Sequence, residues 1–424
     1  MRLTLLAYGT HGDVQPYVAL GLGLKRAGHA VRIAAPALFE PFIRAHGLDF
    51  APIAGDPMQI SRELVDRGGG RPGRIIVSII GLMRRLGVPV MRDIQAACHD
   101  ADAIVYSLHM AVPGHTVARE RGVPDIFAHF FPICATTSDF PSVLFPEWGL
   151  GRAYNVITHK LMDQIIWQSH RALHAWLGRG QPDLPRALYW PFGDKPTTTV
   201  FGFSPCVIPA APDWGGHVHV TGYWFLDGQS DWQPSDSLMR FLDDGPPPVY
   251  VGFGSMVTRR AAKLAGIIRE ALRMSGQRGV VLDWWGGGGT HERPPQLEGN
   301  DLLVIESAPH DWLFPRMAAV AHHGGAGTTA AGLRAGVPSI VLPITNEQPF
   351  WGRRVFRLGV GPKPIPIGRL TAEKLAEAIM QAITNHAMRD RAMALGEKIR
   401  AEDGVARAVA IIEARLKKGA ASDD

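Results

Sequence analysis

The chain has 424 residues, 46% of them hydrophobic, a net charge of +5 and an isoelectric point near 9.2. This length exceeds what one hydrophobic core normally serves, so we expect two domains, and the composition excludes a disordered or a fibrous protein. The charge is only mildly basic, and no basic patch interleaved with aromatic residues accompanies it. We therefore expect no nucleic-acid partner.

The cysteines and the N-terminus indicate the compartment. Cys98, Cys134 and Cys206 are widely spaced and form no CxxC pair, which argues against a disulfide framework and against a structural zinc site. We therefore expect a reducing, cytoplasmic location. The opening residues MRLTLLAY are too short an apolar run for a signal peptide and predict a first strand. No run reaches the ~18 apolar residues that a membrane-spanning helix requires.

In the first half of the chain, apolar runs of strand length alternate with helical patterns, beginning with a βαβ unit. Glycines at 9 and 12 lie in its first turn, but they do not form GxGxxG and no acidic residue ends the second strand, which disfavours an NAD(P) oxidoreductase. The spacing of Ile157, Leu161 and Ile165 predicts a long helix over 155–177. The predicted strands are 3–8, 31–35, 103–106, 125–128 and 201–204, the last of them closing the first domain.

The second half repeats the alternation after a polar stretch, 227–248, that ends in Gly-Pro-Pro-Pro and predicts a domain linker. The intervals between the following apolar runs leave room for helices, which predicts a doubly wound parallel sheet. The predicted strands are 249–253, 280–284, 302–305, 318–321 and 339–342. We therefore divide the chain into domain 1–226, linker 227–248, domain 249–396 and a final helical segment, 397–424.

The most informative stretch follows the strand 318–321. Two histidines and the glycine-rich turn 324–327 lead into an alanine-rich helix, whose exposed backbone N–H groups and dipole suit an anion. Glycines allow a phosphate to approach closely, and Thr328 or Thr329 can cap the helix or donate a hydroxyl. The polar triplet 346–348 follows the next strand, and ligands in open α/β sheets bind at the carboxyl ends of strands. The pattern predicts a nucleotide-sugar site.

HHGGAGTT at 322–329, followed by NEQPFWGRRV at 346–355, resembles the donor-site signature of the family 1 glycosyltransferases. Together with GFGSM at 252–256, it is most similar to the sterol and lipid glucosyltransferase branch. The resemblance implies the GT-B fold, in which two doubly wound parallel-sheet (Rossmann-like) domains face each other across a cleft and the last helix crosses back to the first domain. The N-terminal domain would bind the acceptor and the C-terminal domain the nucleotide sugar.

The implied enzyme is a UDP-dependent hexosyltransferase. It would move a hexose with inversion, glucose from UDP-glucose, to a hydroxyl of an apolar acceptor such as a sterol or lipid. The UDP-sugar is then a co-substrate, and no cofactor is expected.

The resemblance also implies which residues hold the donor. His322 stands where the family has a histidine that contacts a phosphate; its alternative interpretation is a buried structural histidine. Glu347 and Gln348 stand where the family commonly has Asp-Gln, and the glutamate leaves the preferred sugar open. No DxD-like pair of carboxylates lies near these motifs, so we expect no metal, with N–H groups and imidazole in its place. The donor-binding residues are Ser255, His310, His322, Gly324, Gly325, Gly327, Thr328, Glu347 and Gln348.

The catalytic base is expected in the first domain. Gly12-Asp13-Val14-Gln15-Pro16 resembles the family motif in which an aspartate or histidine activates the acceptor, and it implies Asp13 as the base. His11 is the rival, because imidazole is the commoner base. The structural alternative for Asp13 is a helix N-cap.

Aromatic residues are dense between 130 and 176, in sequence broken by proline and glycine. They belong either to the core or to an apolar acceptor pocket, for which Phe130, Phe131, Phe140 and Trp148 are the candidates. Region 62–92 carries seven arginines around an apolar segment. It predicts a helix that covers the acceptor cleft or core, or alternatively an interfacial patch that gives peripheral contact with an anionic membrane.

Three other functions share these motifs. The first alternative is a dTDP- or UDP-sugar transferase that acts on an antibiotic or polyketide aglycone. A GT-B-fold nucleotide-sugar epimerase would need no apolar acceptor. A catalytically silent nucleotide-sugar sensor would differ from a transferase only in an assay.

Overall fold

A computed structural model describes residues 1–57, 72–177, 185–193, 196–228, 232–253, 261–283, 297, 299–344 and 347–420. The chain divides into two compact units. The first comprises Met1–Leu226 with Asp403–Asp424, and the second comprises Asp227–Glu402. Among the described residues, no helix is both long and apolar enough to cross a bilayer.

The first unit is built on a seven-stranded sheet with the order β3-β2-β1-β4-β5-β6-β7, and all of its strand pairs are parallel. The strands are β1 Arg2–Leu6, β2 Ala30–Pro36, β3 Asp49–Ile53, β4 Ala103–Tyr106, β5 Asp125–His129, β6 Thr198–Phe201 and β7 Val218–Val220. Its helices are α1 His11–Arg26, α2 Glu40–Ala45, α3 Pro72–Ala97, α4 Ala111–Arg121 and α5 Gly151–Leu177. The central strands β1 and β4 are almost wholly buried, as expected for a sheet covered by helices on both faces.

The second unit is built on a five-stranded parallel sheet with the order β10-β9-β8-β11-β12. The strands are β8 Val249–Gly252, β9 Gly279–Leu282, β10 Leu302–Ile305, β11 Ala319–His322 and β12 Ser339–Val341. The helices are α6 Asp236–Asp243, α7 Ala261–Ser275, α8 His310–Leu313, α9 Ala326–Ala335, α10 Gln348–Arg357, α11 Ala372–Thr384 and α12 His386–Arg400. The fold class predicted from the sequence, two parallel-sheet α/β domains, is confirmed.

Side chains that alternate between the two faces of the sheet in the second unit form two core layers, one on each face. Val249 and Val251 belong to one cluster, which includes residues of α7 and α11, whereas Tyr250 belongs to the other, with Leu313 and Phe314. Successive strand side chains point to opposite faces of a sheet, so one apolar strand contributes to both layers. The continuous apolar runs of the sequence therefore reflect burial on both faces.

The last helix, α13 Gly404–Ala420, lies within the first unit and packs on α1. Gly23 of α1 leaves room for it, because a Cβ there would lie 2.3 Å from Cγ1 of Val405. His29 Nε2 and Glu413 Oε1 are 3.3 Å apart, and Arg407 donates to the carbonyl of Thr221 at 3.3 Å. The chain thus rejoins the first unit after Glu402, a few residues beyond the predicted start of the final segment at 397.

The sequence missed the two edge strands of the first sheet and misplaced its end. β3 and β7 are edges whose residues are mostly half-buried; β3 contains Pro52, and β7 is only three residues long with His219 at its centre, so neither shows a clear strand pattern. The predicted strand 201–204 is wrong, because Phe201 is the last residue of β6, and β7 follows. β6 begins in the threonine run 197–199, which hid it. The predicted linker, 227–248, contains α6, a helix of the second unit.

Gly23→Ala should destabilise the first unit. Its Cβ would overlap Val405 and also lie 3.1 Å from Cγ2 of Val409, and overpacking of this kind costs about 1–3 kcal/mol. Thermal denaturation of Gly23→Ala, Val405→Ala and the double variant gives the coupling free energy. We expect the double variant to be more stable than the sum of the two single changes predicts; strict additivity would show that the two residues do not meet.

Candidate functional site

The glycine-rich turn joins β11 to α9 and leaves the start of that helix without a side-chain cap. Gly324 has φ 89, in the left-handed region that favours glycine, and Gly325 is the N-cap in extended conformation. The prediction that Thr328 or Thr329 caps the helix is wrong, because α9 begins at Ala326 and both threonines lie inside it. With no cap oxygen supplied by Gly325, the first-turn N–H groups are suited to an external anion.

The glycines of this turn serve different purposes. A Cβ at Gly324 would lie 2.6 Å from Cγ1 of Val341, and one at Gly325 would lie 2.5 Å from Nε2 of His323, so both positions are closely packed. A Cβ at Gly327 would meet no atom of the described residues within 4 Å. The packing of the unit therefore does not require glycine at 327, and the space above it is open to a ligand.

His322, the last residue of β11, is fully buried as a neutral imidazole. Burial, followed by the neighbouring His323 and His310, lowers its pKa to about 3. The N–H of Gly324 donates to Nδ1 at 3.1 Å, so the ring proton must lie on Nε2. Nε2 is buried and has no hydrogen-bond partner among the described residues. The turn therefore holds a buried N–H donor that no described residue satisfies.

His323 differs from its neighbour. It is only partly exposed, and burial lowers its pKa to about 4, so it is also neutral at pH 7. Its Nδ1 is buried and finds no partner in the described part of the chain. Its Nε2 is the atom that a side chain at position 325 would strike. Within the described part of the chain, no backbone hydrogen bond to its ring selects one of the two tautomers.

Three other predicted donor residues, His310, Glu347 and Gln348, lie at the starts of two helices that contact α9. A Cβ at Gly324 would lie 3.2 Å from the carbonyl of Gln348, so the turn packs against the start of α10. Gln348 Oε1 accepts from the N–H of Ile344 at 2.8 Å, which fixes its amide, and Glu347 is the N-cap residue of α10. His310 begins α8 and stacks on Phe314 at 4.3 Å between ring centroids. Ser255 and Asn346 lie outside the described residues.

In the first unit, Asp13 lies in the turn between β1 and α1. Its Oδ2 accepts from the N–H of Thr10 at 2.6 Å and from the Thr10 hydroxyl at 2.9 Å. Thr10, not Asp13, is the N-cap, so the structural alternative was wrong in detail, although Asp13 closes a capping box. Gly9, with φ 144, is required here because a Cβ would lie 2.3 Å from Oδ2. The carboxylate is thus held in one orientation.

His11 begins α1 and lies against aromatic rings. Its ring centroid is 4.8 Å from that of Phe42 and 6.3 Å from that of Phe39. Burial of the ring lowers its pKa below the ordinary 6.5, so the imidazole is mainly neutral at pH 7 and able to accept a proton. His11 therefore remains chemically competent as a base.

Tyr17, one turn beyond Asp13, connects this turn to β5. Its hydroxyl donates to the carbonyl of Ala128, and its pKa is raised by burial and then by the Asp13 charge. Phe130 and Phe131 follow directly after β5, are buried and lie 5.6 Å apart between ring centroids. Two of the four predicted acceptor residues are thereby close to the chain segment that α1 contacts.

The remaining two lie elsewhere in the first unit. Phe140 packs edge-on to Trp214 at 6.2 Å and to His159 at 6.0 Å between ring centroids. Trp148 is at the surface, 68% exposed, and stacks on Tyr154. The aromatic-rich sequence therefore supplies several separate clusters.

His129 is a notable residue that the sequence analysis missed. It ends β5, its side chain is buried, and its ring lies 4.4 Å from that of Phe130 and 4.1 Å from that of Phe131. Neither ring nitrogen has a partner in the described structure, and burial lowers its pKa well below 6.5. The sequence feature that could have identified His129 is its position as a lone polar residue at the carboxyl end of an apolar strand.

Two family models match the chain, one in its N-terminal half and one in its C-terminal half. A model described as the glycosyltransferase family 28 N-terminal domain matches residues 3–124, and one described as the erythromycin biosynthesis protein CIII-like, C-terminal domain, matches residues 297–414. The chain is 35% identical to the sterol 3-beta-glucosyltransferase UGT80B1 of Arabidopsis thaliana over 424 residues, covering 96% of this chain and 67% of that protein. The chain belongs to the sterol 3-beta-glucosyltransferase family. The resemblance inferred from the donor motif is confirmed.

Other relatives are longer than this chain. It is 34% identical to the sterol 3-beta-glucosyltransferase UGT80A2 of Arabidopsis thaliana, covering 96% of this chain and 64% of that protein. With a sterol 3-beta-glucosyltransferase of Neosartorya fischeri it shares 35% identity over 97% of this chain but only 29% of the relative. The chain therefore spans less than two thirds of the length of these two relatives.

Solved structures share the fold. The glycotransferase of kitacinnamycin has a TM-score of 0.68 at 20% identity and covers 98% of both chains. The Streptomyces glycosyltransferase SsfS6, whose structure is complexed with thymidine diphosphate, has a TM-score of 0.63 at 20% identity, covering 97% of this chain and 99% of its own. These glycosyltransferases confirm the GT-B fold.

Within the described ranges, no three His, Cys, Asp or Glu side chains are grouped to hold a metal ion.

Lowering the pH from 6.5 toward 3 should destabilise the second unit. The unfolded state takes up a proton on His322 near pH 6.5, whereas the folded state does so only near pH 3, so stability is complete above pH 6.5 and falls by about 1.4 kcal/mol per pH unit below it. Urea denaturation at several pH values should give a shallower slope for His322→Gln than for the unmodified chain. Thr328→Ala, which removes no titrating group from the turn, should keep the steeper slope; equal slopes for all three would contradict a neutral buried His322.

Proposed function

We propose that the chain is an inverting glycosyltransferase that moves glucose from UDP-glucose to the hydroxyl of a sterol or a comparable apolar lipid. The observation that carries the proposal is the glycine-rich turn with the buried, unpartnered Nε2–H of His322. The names of the relatives, sterol 3-beta-glucosyltransferases, support the acceptor class and the sugar.

The donor site acts on the leaving group. As the anomeric bond breaks, its electron pair moves onto the diphosphate, and the developing charge requires donors already in place. The first-turn N–H groups of α9 and Nε2–H of His322 provide neutral donors together with the helix dipole. We propose that they act without a metal ion. A neutral imidazole suits this task, because the Gly324 hydrogen bond keeps its proton on Nε2, which has no partner among the described residues.

Glu347 and Gln348 would hold the sugar. Both lie at the start of α10, which packs against the turn through the Gln348 carbonyl. The Gln348 side chain is fixed by its bond to Ile344, so it can present its amide in one orientation to sugar hydroxyls. We propose that Glu347 accepts from the sugar hydroxyls.

The acceptor step needs a base in the first unit. The acceptor oxygen attacks the anomeric carbon on the side opposite the diphosphate, and its proton passes to the base as the new bond forms. We assign this role to Asp13, with His11 as the rival. Phe130 and Phe131 would contact the apolar body of the acceptor, and His129 between them could pair with a polar group on it.

The deciding experiment offers the purified chain UDP-glucose, other UDP-sugars and dTDP-sugars, with sterols, fatty lipids and polyketide aglycones as acceptors. Mass spectrometry should detect a glucosylated sterol or lipid, NMR should show the inverted anomer, and excess EDTA should leave the rate nearly unchanged. Loss of activity that magnesium or manganese restores would contradict metal independence.

The same panel tests the alternatives. The match to the erythromycin biosynthesis protein CIII-like domain favours an aglycone acceptor as the second candidate, and transfer only from dTDP-sugars to the aglycones would establish it. Epimerisation of the donor without acceptor would indicate an epimerase. Tight nucleotide-sugar binding without any product would indicate a sensor.

His322→Ala should weaken catalysis more than His323→Ala, because a backbone hydrogen bond fixes the ring proton of His322 on Nε2, which has no partner among the described residues. Loss of a hydrogen bond to a charged phosphate costs about 1.5–3 kcal/mol, or roughly ten- to a hundred-fold in kcat/KM. Steady-state kinetics and UDP titration measure the effect, and thermal denaturation controls for the cavity. Equal losses, or a larger loss at 323, would refute the assigned roles.

Asp13→Asn should cut turnover by at least ~10²-fold, the lower end of what a positioned base contributes. The asparagine side chain can still accept from Thr10, so the melting temperature and the UDP affinity should barely move. His11→Ala is the matched control. Near-normal turnover of Asp13→Asn together with a large loss in His11→Ala would reverse the two roles.

A further inference from the structure

Helix α5 exposes an apolar stripe along one face. Ile157, Leu161 and Ile165 are 60%, 47% and 50% exposed and recur every four residues, so they lie on one side of the helix. Leu150, just before the helix, is also 62% exposed. Large apolar side chains grouped in this way on a surface mark a contact with another apolar body.

Other positions of α5 anchor the helix in the first unit. Thr158 and His159 are buried, His159 lies 3.0 Å from the carbonyl of Phe140, and the Thr158 hydroxyl is 3.0 Å from the N–H of Ser142. The helix is therefore fixed by one face, and its apolar stripe is a stable feature of that fixed orientation.

The charges around the stripe are basic. Lys160 and Arg171 are exposed and lie about a quarter turn from the stripe. The only acidic residue between 151 and 177 is Asp163, which is half-buried and whose pKa burial raises to about 6. Basic residues beside an apolar stripe complement a surface that is apolar inside and anionic outside.

Trp148 adds an aromatic edge to this surface. It is 68% exposed and stacks on Tyr154 with 5.7 Å between ring centroids, and the Tyr154 hydroxyl donates to the carbonyl of Pro146 at 2.7 Å. Tryptophan favours the boundary between lipid headgroups and acyl chains, because its ring is apolar and its N–H is polar.

We propose that this surface, formed by Trp148, Leu150, Ile157, Leu161 and Ile165 with Lys160 and Arg171 beside it, docks the chain on an anionic lipid bilayer. This docking goes beyond the proposed function. It rests on that function only for its purpose, because an apolar acceptor would be dissolved in the bilayer that the surface binds.

The test is co-sedimentation with vesicles of phosphatidylcholine alone and with vesicles that also contain phosphatidylserine. The triple variant Ile157→Gln, Leu161→Gln, Ile165→Gln should lose at least ~10-fold in binding to the mixed vesicles. A matched control, Met274→Gln, Met380→Gln, Met393→Gln, changes three exposed apolar residues of the second unit and should bind like the unmodified chain. Lys160→Gln with Arg171→Gln should lose about 10-fold on the mixed vesicles and little on phosphatidylcholine.

Absence of vesicle binding by the unmodified chain, or unchanged binding by the triple variant, would overturn the proposal. So would a triple variant that keeps vesicle binding and instead turns a dimer into a monomer in gel filtration, since the stripe would then join two copies. An assay of sugar transfer to a detergent-dispersed acceptor tests the proposed function separately from membrane docking. Docking without transfer to any acceptor contradicts the proposed function alone, and transfer without docking contradicts the surface alone.

Discussion

The hydrogen bond from the N–H of Gly324 to Nδ1 of His322 determines the chemistry of the glycine-rich turn. It forms because Gly324 adopts a left-handed conformation at the end of a buried strand, and it forces the imidazole proton onto Nε2. Burial lowers the pKa of the ring to about 3, so the proton that remains is a neutral donor at any physiological pH. A neutral donor can be buried at the end of the strand. A buried imidazolium without a partner would be strongly unfavourable, because it would lose its hydration.

A comparable constraint acts on Asp13 in the first unit. Its Oδ2 accepts two hydrogen bonds from Thr10, and Gly9 leaves the space for that oxygen. The capping box thereby orients the carboxylate while one oxygen is committed to the helix. A structural role and a catalytic role are therefore not alternatives here, because the cap is what would position the base.

The sequence predicted those parts of the fold whose burial is strongest. β4 and β10 match their predicted ranges, since buried parallel strands read as continuous apolar runs. The edge strands β3 and β7 were missed because half-buried strands carry no such run. In the site, the motif identified the glycine-rich turn, but the tautomer of His322 and the unpartnered ring of His129 depend on tertiary contacts that no local pattern encodes.

In helix α5, the sequence pattern predicts the helix correctly but does not show which of its faces is buried. Ile157, Leu161 and Ile165 predicted the helix, and an apolar stripe ordinarily faces the core. The structure buries Thr158 and His159 instead and leaves the stripe exposed. Exposed apolar area disfavours the isolated chain by about 25 cal/mol per Å², so burying this face inward would have been the more stable arrangement. The exposed stripe therefore lowers the stability of the isolated chain, and basic side chains lie beside it. This combination suits an apolar partner outside the chain.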